Sequence, residues 1–359
     1  MIHARLSVGA LSCALVASFV CFGAGAALAG DLTPPAGSVV GTMKPLSDVE
    51  PRIAINAANT PGDGTTVFKI VQPGSYYLTG NLAGVSGKNG ILIASSDVTI
   101  DLCGFTLKGV AGSQSAVAVA SSGVYNNIAV ANGTMDGWGG YGVSLSTGSN
   151  RTMRVSRVTV VSCGTGGMYV PQYSTVSDCL CTNNAGSGYW GQGSVTFIHC
   201  SAHQNSAHGF YTEDACNLTD CTADGNTFNG IGAGSYSLIT NCSCTRNHWD
   251  GVRLGSYCRV SGVNAAQAGY GAGSGAGIHA TGSGNRIEGN NCTASDWGVL
   301  VDASGNFVNR NTCSGNTTNF SIASGNACYV VSANSSGAIS GSSGGLSFGS
   351  NDPNANFSY

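Results

Sequence analysis

The 359-residue chain is only 9% charged, carries a net charge of −3 and contains 55 glycines, where soluble domains usually have about 25% charged residues. Interior glycine costs a helix about 0.5–1 kcal/mol relative to alanine, so an all-α bundle is excluded; 42% apolar residues exclude a disordered chain. A near-neutral chain with no lysine after Lys108 has no electrostatic footprint for nucleic acid.

The first element, residues 1–29, reads as a signal peptide. Arg5 precedes an apolar stretch that ends in Ala27-Leu28-Ala29, an A-x-A cleavage signature. The expected location is therefore secreted, periplasmic or cell-surface. No other run of about 18 apolar residues follows, so no membrane partner is expected after cleavage. Residues 30–64 are expected to form an N-terminal segment and cap. Of 15 cysteines, Cys13 and Cys21 leave with the signal, and the odd remainder leaves at least one thiol unpaired. There is no C-x-x-C; C-x-C occurs at Cys179/Cys181 and Cys242/Cys244, which places both sulfurs on one face of a strand.

From about residue 65 to 331 the chain repeats. Gly167, Gly188, Gly209, Gly230 and Gly251 fall 21 residues apart, as do Cys179, Cys200, Cys221 and Cys242, and Asn184, Asn205, Asn226 and Asn247. After a five-residue insertion within Ala268–Gly277 the interval resumes at Gly277 and Gly298. An apolar residue follows each repeat glycine (Met168, Tyr189, Phe210, Ile231, Val252, Ile278, Val299), and a second apolar column runs Val155, Val176, Phe197, Leu218, Ile239, Val260. Short alternating runs are half-buried strands, and the intervening Gly and Asn are expected to supply the positive φ of the bends. Such a unit cannot bury its own face, but stacked copies can. The fold is therefore all-β: a right-handed single-stranded parallel β-helix of about ten coils, near 50 Å long. Cysteines should point inward and asparagines should form an amide ladder. Neighbouring coils come within reach of disulfide geometry, so both bridged and free thiols remain open. Residues 332–359 form a Ser/Gly-rich tail whose aromatic end is expected to return over the last coil and hide a sheet edge.

The 21-residue period and the entry segment Gly74–Gly109 (GSYYLTGNL…GILIASSDVTIDLCGFTLKG) resemble the pectate-lyase-like superfamily of secreted right-handed parallel β-helix proteins. That resemblance implies a groove for polysaccharide along the outside of the helix. Two residues after each repeat glycine the side chain should face outward, giving Tyr169, Trp190, Tyr211, Gly232, Arg253 and His279. Flat aromatic rings suit the C–H faces of sugars, so Tyr169, Trp190, Tyr211 and nearby Glu213 are the candidate substrate-binding residues. His208, Asp250 and Arg253 are the candidate catalytic set: a base, with a cation to neutralise a uronate carboxylate. The column Asp178, His199, Asp220, Asn241 is the runner-up site, either a polar bend ladder or a place for a metal.

Known catalytic sets are absent. Of N-T-D, D-D, G-H-G and R-I-K only His208-Gly209 is present, and neither a calcium-binding aspartate cluster nor D-P-H-D occurs. No cofactor is assigned; calcium has no supporting motif. Two readings stay open: a monomeric exported protein that binds or processes polysaccharide, an acidic one suiting Arg253, or a non-catalytic structural or adhesion solenoid. An enzyme on this fold would be of polysaccharide lyase or glycoside hydrolase type.

Overall fold

The computed structural model describes residues 50–147, 149–271, 274–332 and 354–359. The signal segment and most of the Ser/Gly-rich tail lie outside the described residues. Among those described, the chain forms strands and bends with no helix, so none is long and apolar enough to cross a membrane.

Each regular coil has three short strands. In one coil these are Ile231–Ala233, Leu238–Thr240 and Ser243–Thr245. Each strand pairs in parallel with its counterpart in the next coil, for example Ile231 with Val252 and Leu238 with Arg259. The first strands of successive coils make a 12-stranded sheet; the second and third merge into a 24-stranded one. Twelve rungs exceed the ten expected, although the first coils run to 23–26 residues before the 21-residue interval sets in. Eleven steps of about 4.8 Å still give a length near 50 Å. The earliest strand, Ile53–Ile55, pairs with Gly74–Leu78. At the far end Asn356–Ser358 returns to pair with Thr312–Cys313 and with Val330–Ser332, which covers the edge as the aromatic tail suggested.

The interior is a stack of like residues. Met168, Tyr189, Phe210, Ile231, Val252, Ile278 and Val299 are all buried, as are Cys179, Cys181, Cys200, Cys221, Cys242 and Cys244. The thirteen described cysteines are all free thiols. Asn184, Asn205, Asn226 and Asn247 form the expected ladder, each side-chain amide donating to the next residue's Oδ1 at 2.9–3.0 Å.

The bends depart from expectation. Their left-handed positions are held mostly by residues other than glycine. One column runs Tyr173, Ser194, Ala215, Tyr236, Tyr257; a second runs Asp178, His199, Asp220, Asn241; a third includes Asn183, Gln204 and Arg246. The repeat glycines serve space instead. A Cβ on Gly209 would lie 2.6 Å from the Gly230 carbonyl oxygen, and one on Gly251 2.6 Å from that of Gly277. Neighbouring backbones approach too closely there for any side chain.

Candidate functional site

The outward column of the 12-stranded sheet is in register: Tyr169, Trp190, Tyr211, Gly232, Arg253, His279 and Leu300 lie side by side on successive coils. The aromatic stripe is continuous. Tyr169 and Trp190 rings are 4.8 Å apart and Trp190 meets Tyr211 edge-on at 5.8 Å. Trp190 is not the free ring expected of a binding platform. It is half-buried between its neighbours, and its Nε1 is inaccessible, with no partner among the described residues. Glu213 is exposed and, like Tyr169 and Trp190, lines neither of the clefts that hold His208, Tyr211, Asp250 and Arg253.

The column's missing side chain makes the site. Because residue 232 is glycine, a gap opens between Tyr211 and Arg253, and it forms a cleft of about 420 Å³ also lined by His208, Thr212 and Trp249. A Cβ at Gly232 would point at His208, 3.5 Å from its Nδ1, and would meet no backbone. His208 stacks on Tyr211 at 5.2 Å and meets Phe228 edge-on, while Phe228 stacks under Trp249 at 4.6 Å. Burial, with the Arg253 charge adding to it, pushes the His208 imidazole down to about 4, so it is neutral at physiological pH. Its Nδ1 is buried and closed to solvent, without a hydrogen-bond partner among the described residues.

A second cleft of about 370 Å³ adjoins the first across Trp249 and Arg253, lined also by Asp250, His279 and Trp297. Here sequence reasoning placed His279 in the outward column without giving it a role, and it missed Asp302. His279 bridges two carboxylates, with Nδ1 2.9 Å from Asp250 Oδ2 and Nε2 2.8 Å from Asp302 Oδ2. Burial alone would lower the His279 pKa; the two carboxylates outweigh it and raise it. Arg253 Nη1 lies 3.5 Å from Asp250 Oδ2 and 3.4 Å from His279 Nδ1. Asp302 follows a regular strand with no motif around it, so only register could have found it.

Other arginines are engaged elsewhere. Arg246 holds Asp224 through two bonds of 2.9 and 2.6 Å. Arg259, Arg286 and Arg310 converge on the buried Glu288. The runner-up column does set His199 between Asp178 and Asp220, at 3.5 and 3.6 Å. All three are exposed left-handed bend residues, the geometry of a polar ladder on the surface. Among the described residues no group of three or more His, Cys, Asp or Glu is arranged to hold a metal ion.

Residues 89–238 match the family described as a right handed beta helix region. No curated protein matches the chain. Similar solved structures include the A-module of the mannuronan C-5 epimerase AlgE4 from Azotobacter vinelandii, 17% identical over 68% of this chain and 88% of that one, with a TM-score of 0.48. The receptor-binding domain of the Siphovirus 9NA tailspike is 11% identical over 74% and 70% of the two chains, TM-score 0.47. The pectate lyase Pel9A is 17% identical over 78% and 73%, TM-score 0.37.

Proposed function

We propose that this chain, which carries a right-handed β-helix region and resembles the pectate-lyase-like superfamily, binds an acidic polysaccharide across the outer face of its 12-stranded sheet and abstracts a proton from a uronate seated over Gly232. The observation that carries the reading is the cleft over Gly232, which gathers His208, Tyr211, Trp249 and Arg253 on one outward face.

The parts fit a uronate. Tyr211 and Trp249 offer aromatic surface to the ring. Arg253 presents a guanidinium to the carboxylate, and neutralising that charge acidifies the adjacent C–H. His208 is neutral because its pKa is pushed down to about 4, and its Nδ1, closed to solvent, must be uncovered by the seated ring before it takes the proton. The Asp250–His279–Asp302 chain holds Arg253 from behind. Departure of the C4 oxygen with a proton from water in the open cleft would give an unsaturated product; protonation of the same carbon by water on the opposite face would give an epimer. Export by residues 1–29 would deliver the protein to such a substrate.

The test is binding and turnover of alginate and polygalacturonate, followed by affinity electrophoresis, ultraviolet absorbance of unsaturated uronate and NMR of the product. Gly232→Val fills the cleft without striking backbone, so it should abolish binding and keep the melting temperature. Asp250→Asn retains the oxygen that accepts the Ala276 N–H at 2.9 Å but removes the charge, so turnover should fall by at least tenfold with the fold intact. Binding that survives Gly232→Val would place the ligand elsewhere.

A further inference from the structure

The bends after five successive strands of the 12-stranded sheet carry the left-handed column Tyr173, Ser194, Ala215, Tyr236, Tyr257, with φ between 58° and 61°. That conformation is costly for any residue with a Cβ and uncommon for bulky ones. Burial does not explain the tyrosines: Tyr173, Tyr236 and Tyr257 are 54%, 62% and 60% exposed. Exposed aromatic rings on bends that Ser194 and Ala215 occupy with the same φ point to a role outside the chain's own stability.

Their arrangement is specific. Tyr236 and Tyr257 stack at 5.2 Å with 11° between planes, about one coil spacing, so their faces look along the helix axis. Tyr257 is backed by Gly284, where a Cβ would sit 2.6 Å from the ring. At the other end Tyr173 is backed by the Arg151 guanidinium of the preceding coil, 5.6 Å from its centroid. Between these two supported walls the column holds only Ser194 and Ala215, its smallest side chains. The result is a notch three coils long, about 14 Å, walled by Tyr173 and Tyr236.

The notch adjoins the cleft. Gly234, which lines the cleft, lies two residues before Tyr236. Ser194 adds a polar group to the floor, while Asp214, exposed beside Ala215, is held by the Ser235 N–H, which its Oδ1 accepts at 2.7 Å. We propose that this notch is a second carbohydrate subsite, in which sugar rings of the same glycan stack on the Tyr236 and Tyr173 faces above Ala215 and Ser194. It rests on the glycan reading of the cleft. A flat-walled, polar-floored notch fits sugar rings, whereas a stable protein partner needs an interface of about 800 Å² per side.

Two variants of the full chain test it, read by titration with a length series of oligouronates. Tyr236→Asn removes one wall with a residue that tolerates the left-handed bend. Ala215→Tyr fills the notch with the ring that the same backbone already accepts at Tyr236. Both should bind long oligomers about tenfold more weakly, as loss of an aromatic stack implies, while oligomers short enough for the cleft alone bind as to wild type. Melting temperatures should match wild type. Long-oligomer affinity unchanged in either variant, while Gly232→Val abolishes binding, overturns the notch and leaves the cleft standing. A wild-type chain that binds no oligouronate overturns both.

Discussion

Replacing Asn226 with alanine tests whether the amide ladder holds the coils in register. The Asn226 side chain donates to Asn247 Oδ1 at 3.0 Å and to the Ala202 carbonyl at 3.1 Å. It accepts from the Asn205 main-chain N–H at 3.1 Å and from the Asn205 side-chain amide at 3.0 Å. All of this is fully buried. The alanine variant loses four bonds and leaves the Asn205 N–H facing a void. At about 0.5–1.5 kcal/mol net per bond, with a further penalty for a buried group left unpaired, the expected cost is about 4 kcal/mol. Solenoids unfold in segments rather than all at once, so the sensitive assay is hydrogen exchange. The Asn205 and Asn226 amides should lose protection by that amount while coils near Ile91 keep theirs. Protection within about 1 kcal/mol of wild type at Asn205 would show that backbone pairing and apolar packing suffice, and that the ladder adds nothing.

Gly209→Ala should destabilise more than an ordinary surface substitution, because its Cβ would press on the Gly230 carbonyl and on Asn226; a thermal midpoint equal to wild type would refute close approach as the reason for the repeat glycine. His279 makes a signed pH prediction. Its pKa is raised above the ordinary 6.5 by Asp250 and Asp302 against the effect of burial. Its contribution to stability is therefore fully present below about pH 6.5 and lost as pH rises through the raised value. The melting temperature of wild type minus that of His279→Gln should shrink over that window, and an NMR midpoint for His279 below 6.5 would contradict the bridging geometry.

The fold was legible because a solenoid writes its contacts into its period. Once Gly209 and Gly230 were seen 21 residues apart, strand pairing between Phe210 and Ile231 followed, as did the inward cysteines and the asparagine ladder. The bends were less legible. Glycine was assigned to positive φ by its conformational freedom, but at Gly209 and Gly251 its lack of volume is what the fold needs. The turns then tolerate Tyr, His and Asp at a local cost that the stacked sheet absorbs. The site was legible by column and not by membership. Tyr211, Arg253 and His208 share a cleft, while Trp190 is enclosed by its own neighbours. Asp302 enters only because a coil spacing places it against His279, 23 residues away in sequence. The Asp250–His279 contact spans the insertion within Ala268–Gly277, which sets the two 29 residues apart, so it does not show in the period.

Asp250 shows how a repeat position acquires chemistry without losing its structural part. In the preceding coil Asn229 occupies the same place, and its Oδ1 accepts the main-chain N–H of Asp250 at 3.1 Å. Asp250 repeats that bond one coil later, its Oδ1 accepting the Ala276 N–H at 2.9 Å. One oxygen therefore does for the ladder what an asparagine would do. The other meets His279 at 2.9 Å and Arg253 at 3.5 Å, contacts for which the amide's NH₂ group would have the wrong charge toward the guanidinium. The exchange of Asn for Asp adds a buried carboxylate, costly unless paired, next to the one coil where Gly232 leaves the outward face open. The charge is matched by His279 on one side and Arg253 on the other, so the same carboxylate that steadies the coil also fixes the guanidinium on which the proposed uronate site depends.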